Sequence, residues 1–253
     1  MHEGFRLRHS CTGEFDISAD GAEIVWYPCT GAKMEMGQID VLGRVLSVAL
    51  HAAGALTLHG SAVAFEQGVV AFLAPKHHGK STLAAALIRE GARLVSDDTV
   101  AIELGPPVLA RSGVHSMRLC SDAAERLIGE GRPRRFGVDG KHIVDHADPR
   151  SVMLGIAPLS AVYMLLPRSG EGVESAATRR RLSSTQAAIS VLSHTKIGPL
   201  LGKSEATTVF DRAVTLADRV PIYALEIVRG FDRMSEAVDT IMAWHTTSVP
   251  TVA

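Results

Sequence analysis

Apolar positions along this chain fall into short blocks whose spacing alternates between strand and helix. Val69-Val70-Ala71-Phe72-Leu73 is an unbroken apolar run, as a strand buried on both faces requires, and it stops at the loop Ala74-Pro75-Lys76-His77-His78-Gly79. From Thr82 to Arg89 nearly every residue is a strong helix former, and Gly91 is placed to end that helix. Arg93-Leu94-Val95-Ser96 then predicts a short strand leading into Asp97-Asp98-Thr99-Val100. Upstream, Leu56 to Phe65 reads as one more strand, with Glu66-Gln67-Gly68 as a hairpin turn into the next. The stretch from Val41 to Leu58 is interrupted by Arg44 and His51, so it reads as a buried helix running into a strand rather than a membrane span.

Away from this centre the pattern is weaker. Residues 1 to 36 carry short alternating runs such as Glu23-Ile24-Val25-Trp26-Tyr27 and predict a small β extension ahead of a main domain over 37–250. Residues 105–150 are rich in charge, Gly and Pro and predict a mobile insertion around one helix, Asp122 to Ile128, opened by an Asp122-x-x-Glu125 capping box. Within it Arg132, Arg134, Arg135 and Lys141 form a basic stretch suited either to phosphate or an acidic peptide, or simply to solvent. A helix is expected near Ser184 to Ser193, with Arg179-Arg180-Arg181 as its polar entry.

The chemistry concentrates where the first strand meets its helix. Gly79-Lys80-Ser81-Thr82 sits at a loop–helix junction, where backbone N–H groups lack partners and the helix dipole is positive, so a phosphate chain is attracted. Ala74, Pro75, Lys76, His77, His78, Gly79, Lys80, Ser81 and Thr82 are the candidate nucleotide-binding residues, with Lys80 reaching the β- and γ-phosphates and the Ser81 hydroxyl binding Mg²⁺. The loop departs from the usual pattern by opening on Ala74 instead of Gly, which places a Cβ where the backbone is expected to turn at positive φ. Asp97 and Asp98 end the following strand on the side where ligands of open α/β sheets gather. One carboxylate of the pair is suited to hold Mg²⁺, directly or through water, and another to accept the proton of an attacking hydroxyl; Asp97 is expected to support the metal or to orient Asp98. His59 is the distinctive residue of the preceding strand, although a lone His is more often structural.

Taken together, His59-Gly60-Ser61-Ala62-Val63, Ala74 to Thr82 and Arg93-Leu94-Val95-Ser96-Asp97-Asp98 resemble the catalytic core of HPr kinase/phosphorylase and its relatives, in the same order and at similar separations. The resemblance implies an α/β fold with a phosphoenolpyruvate-carboxykinase-like P-loop kinase core. It also implies active-site roles for His59 and Lys80, Mg²⁺ binding by Ser81 and proton acceptance by Asp98. Pro158 to Leu165 and Val220 to Glu226 look like two later strands of the short HPr-kinase-related proteins. About 55 residues precede His59, where the family carries a sizeable N-terminal domain, and no counterpart of its Glu-containing metal loop is found, so the chain looks closer to short tailoring kinases, including those that phosphorylate the C-terminal serine of lasso-peptide precursors. The expected activity is phosphoryl transfer from ATP, with Mg²⁺, to a serine hydroxyl of a peptide or protein.

Composition narrows the setting. With 253 residues and 46% apolar content the chain can bury one large core, and its net charge of −1 gives no reason to invoke nucleic acid or an anionic membrane. Cys11, Cys29 and Cys120 are odd in number and widely spaced, which suggests neither a disulfide framework nor a zinc site. The N-terminal residues lack the apolar core of a signal peptide, so a cytoplasmic location is expected. The oligomeric state is open, a homo-oligomer included. A regulatory GTPase is disfavoured, because its guanine-reading Asn-Lys-x-Asp motif needs an Asn and the chain contains none. A non-catalytic module that holds nucleotide for regulation is the alternative that survives.

Overall fold

The computed structural model describes residues 4–128, 134–137, 140–146, 148–170, 172–198 and 202–246. Three strands, β1 (Phe5–His9), β2 (Gly13–Ile17) and β3 (Ile24–Pro28), form an antiparallel sheet. Helices α1 (Met34–Asp40) and α2 (Leu46–Ala52) follow, joined by a π-type turn over Val41–Val45. Next come β4 (Leu56–Leu58), β5 (Gly60–Phe65), β6 (Gly68–Leu73), α3 (Lys80–Arg89), β7 (Arg93–Asp97) and β8 (Val100–Glu103). The middle of the chain holds β9 (Leu109–Arg111), β10 (Ser116–Leu119), α4 (Ser121–Ile128), β11 (Arg134–Phe136) and β12 (His142–Asp145). It closes with β13 (Ile156–Arg168), β14 (Ala177–Arg181), α5 (Ser184–Ser193), α6 (Lys203–Arg219), β15 (Ile222–Val228) and α7 (Met234–Thr246).

The architecture is mixed α/β, built on a nine-stranded mixed sheet. β6 pairs in parallel with β13, and β13 in parallel with β15, while β5 lies antiparallel between β6 and β7. The carboxyl ends of β6, β7, β13 and β15 therefore share one edge of the sheet, and the start of β5 lies at that same edge. Alternate residues of β6 feed two buried layers. Val70 and Phe72 pack with α3, α4 and α7, whereas Val69, Ala71 and Leu73 pack with α5 and α6. That two-sided burial is why β6 reads as a continuous apolar run instead of an alternating one. A third cluster ties the N-terminal sheet to the rest, with Phe15 and Ile17 packed against Val45, Val48, Ile197 and Val209.

Most of the predicted elements form, with instructive exceptions. The expected single strand from Leu56 to Phe65 breaks at His59: β4 pairs with β8, whereas β5 pairs with β6 and β7. Gly60 explains the close approach after the break, since a Cβ there would lie 2.6 Å from Leu73 and 2.7 Å from the Phe72 carbonyl oxygen. Arg179-Arg180-Arg181 is not the entry to a helix. Those residues form the outer strand β14 beside β15, and α5 begins after Ser183, which with Gln186 makes its capping box. The Asp122 carboxylate accepts from the adjacent Ala123 N–H, so the Asp122–Glu125 box is replaced by a shorter contact. The 105–150 segment carries more regular structure than its charge suggests: β10, β12 and β11 pair as a small sheet whose Met117, Leu119 and Val144 are buried against the layer that holds α3 and α4. Arg132 lies outside the described residues, as does the Arg134 side chain. Among the described residues no helix is long and apolar enough to cross a membrane.

Candidate active site

The shared strand edge brings the predicted residues into one place. A cavity of about 540 Å³ opens there, and His59, His77, Lys80, Ser81, Asp97 and Asp98 all line it. Lys76 to Gly79 of the loop and the first turn of α3 line part of it. Ala74 is fully buried and is not at positive φ, so the strain expected at that position is absent. The sharp turn falls instead at His77, φ 65°, and at Gly79, φ 86°. His is among the residues that tolerate this region, and the His78 ring nitrogen Nδ1 meets the Lys76 carbonyl at 2.9 Å, which steadies the turn.

Lys80 is 7% exposed and folds back over its own loop. Its ammonium donates to the carbonyls of Ala74 at 2.8 Å and Pro75 at 3.1 Å, and faces His59 Nε2 at 3.3 Å. All three of its protons thus have acceptors, which is what makes a buried ammonium tolerable. Burial pushes this lysine down to about 8, and the nearby carboxylates Asp97 and Asp98 oppose that shift.

The two aspartates do different things. Asp97 Oδ1 accepts from Ser81 Oγ at 2.8 Å and from Ser61 Oγ at 2.5 Å, and Oδ2 takes the Arg118 N–H at 3.0 Å. Ser81 and Asp97, predicted as the metal pair, are therefore in direct contact across the helix and strand ends. Two hard oxygen donors beside a phosphate loop fit Mg²⁺, which keeps several waters and takes few protein ligands. Among the described residues no cluster of three His, Cys, Asp or Glu forms a metal cage. Asp98 stands one residue further on, at φ 71°, and this left-handed kink separates its side chain from that of Asp97. Its carboxylate meets His59 Nδ1 at 3.2 Å and the Lys196 ammonium, which also donates to the Asp98 carbonyl at 3.1 Å. Burial pushes the Asp98 carboxyl up, but His59 and Lys196 outweigh it and hold the group well below the usual carboxylate range.

A chain of contacts follows: Lys80 to His59, His59 to Asp98, Asp98 to Lys196. The network assigns the imidazole tautomer, with Nδ1–H donating to Asp98 and Nε2 accepting from Lys80. His59 is held in place by its own backbone N–H, which donates to the His194 carbonyl at 2.7 Å.

No family model matches the chain, and no curated protein matches it in sequence. Among solved structures it is similar to the Hpr(Ser) kinase/phosphatase from Coxiella burnetii, at 11% identity over 74% of this chain and 88% of that one, with a TM-score of 0.38. The roles of the residues here rest on their own geometry.

Two features went unread in the sequence. Lys196 lies 98 residues from Asp98 and reaches it because the segment after α5 runs beside β4, with Lys196 N–H donating to Thr57 O at 2.9 Å. No local spacing signals that contact. The second is the far wall of the cavity, made by Leu165, Pro167, Ile227, Val228, Phe231 and Met234 from the ends of β13, β15 and the start of α7. From the basic stretch, Lys141 lines the cavity, whereas the exposed Arg135 pairs with Asp145 at 3.0 Å.

Proposed function

We propose that the protein is an ATP-dependent, HPr-kinase-like phosphotransferase whose phosphoenolpyruvate-carboxykinase-like core acts on a hydroxyl, with a serine of a peptide or protein as the acceptor. The observation that carries this reading is the pairing of a phosphate-type loop with a separate ionised carboxylate, Asp98, that lines the same cavity and is linked to Lys80 through His59. A module that only held nucleotide has use for the loop and for Ser81 and Asp97, but not for a second carboxylate held ionised by His59 and Lys196.

In this reading the N–H groups at the start of α3 and the Lys80 ammonium hold the phosphate chain, and Ser81 with Asp97 holds Mg²⁺. The metal, when bound, screens the charge on the phosphates. Asp98 orients the acceptor hydroxyl and takes its proton as the new oxygen–phosphorus bond forms and ADP leaves. Held ionised, Asp98 can accept a hydrogen bond from the acceptor hydroxyl and align it for phosphoryl transfer. His59 joins the two halves of the site, linking Lys80 on the phosphate side to Asp98 on the acceptor side.

The test is Asp98→Asn, which keeps the size and loses the base. Turnover, followed as ADP release from MgATP, is expected to fall by roughly 10²–10⁴, with nucleotide affinity little changed. Equal turnover in variant and wild type would transfer the weight to the nucleotide-binding module.

A further inference from the structure

The order of strands at the cavity edge runs β7, β5, β6, β13, β15. β6 delivers the phosphate loop. On one side of it lie His59, Asp97 and Asp98. On the other side, across β13 and β15, the cavity wall turns apolar and ends at Phe231 and Met234. Adjacent strands stand about 4.8 Å apart, so β15 lies about 10 Å from the loop strand, close to the span from the phosphates of a nucleoside triphosphate to its base. Phe231 also lines a second cavity of about 360 Å³ behind it, together with Arg126. The Arg126 guanidinium sits 4.9 Å from the centre of the Phe231 ring and covers it from that rear side. The ring is half-buried and lines both cavities.

We propose that Phe231, backed by Arg126, is the stacking platform for the base of ATP. The base lies over the ends of β13 and β15, which leaves the Asp98 side of the loop free for the acceptor hydroxyl. The inference rests on the phosphate-loop reading of Ala74 to Thr82 and adds the direction in which the nucleotide runs from it. A cation on the rear face of an aromatic ring and an apolar slot beside it are the usual ingredients of base stacking, and they sit on the one wall that carries no catalytic candidate.

The experiment compares ATP with inorganic tripolyphosphate, both with Mg²⁺, on wild type, Phe231→Ala, Phe231→Leu, Phe231→Tyr and Lys80→Ala. Leu keeps the apolar bulk without a ring face and guards against a folding defect in the Ala variant. Phe231→Ala and Phe231→Leu are expected to weaken ATP about five- to a hundredfold, the range set by losing one base–aromatic stack, and to leave tripolyphosphate unchanged. Phe231→Tyr is expected to restore ATP binding. If the Leu variant binds ATP as wild type does, or weakens both ligands alike, the platform is wrong while the phosphate loop stands. If wild type binds neither ligand, or Lys80→Ala changes neither, the phosphate-loop reading falls and the platform with it.

Discussion

Single residues at this site are chosen for backbone shape as much as for chemistry. His77 and Asp98 are the two non-glycine residues at positive φ among those described, and both lie on the cavity. Each belongs to a residue type that accepts the left-handed region at low cost, whereas a β-branched side chain does not. His77→Val is therefore expected to lose roughly 1–2 kcal/mol of stability in urea unfolding and to weaken nucleotide binding, while His77→Gly holds both. Unchanged stability in the Val variant would mean that the loop relaxes out of this conformation. Placing the strain at Ala74 followed from aligning the loop with the usual glycine-first pattern. The structure moves the turn three residues along, which the sequence signals only as two adjacent histidines.

At the scale of elements, the strand–loop–helix unit of β6 and α3 was legible because its signals are local: an apolar run, a phosphate-type junction, helix formers and a terminal glycine. The split at His59 was not, since β4 and β5 choose different partners and only pairing reveals it. Gly60 marks that split. Gly60→Ala drives a methyl group into Leu73 and the Phe72 carbonyl, and overpacking of this kind is expected to cost about 1–3 kcal/mol, read as a lower midpoint of denaturant unfolding. The docking of α7 has a pH signature. His245, 5% exposed, accepts from the Tyr163 hydroxyl at 2.9 Å. Burial, aided by the Arg179 charge, pushes its imidazole down from 6.5 to about 4. Between those values the unfolded chain binds the proton more readily, so stability falls as pH drops from about 6.5 to 4 and is flat in this respect above, by up to about 3 kcal/mol. His245→Phe is expected to flatten that slope in unfolding curves at pH 7 and pH 4.5; an unaltered slope would place the acid-sensitive group elsewhere.

Across the whole molecule, the sheet does the assembling. Asp97, His59, the phosphate loop and Phe231 come from four stretches of sequence and meet because parallel β6, β7, β13 and β15 end at one edge. The strands around the loop, β4 to β7, were readable from apolar spacing, whereas β13 and β15 were expected only from the family resemblance and β8 to β12 and β14 were not foreseen. Their order was not, and with it Lys196 and the apolar wall stayed hidden, because both depend on contacts between segments far apart in the chain. The central claim is that Ala74 to Thr82 holds the phosphates of ATP and that Lys80 is the cation that does it. Calorimetric titration of MgATP into wild type and Lys80→Ala, with thermal unfolding showing both folded, tests this directly. Loss of a charge-assisted phosphate contact predicts a drop in affinity of roughly ten- to a hundredfold. Equal affinity in the two proteins would contradict the claim.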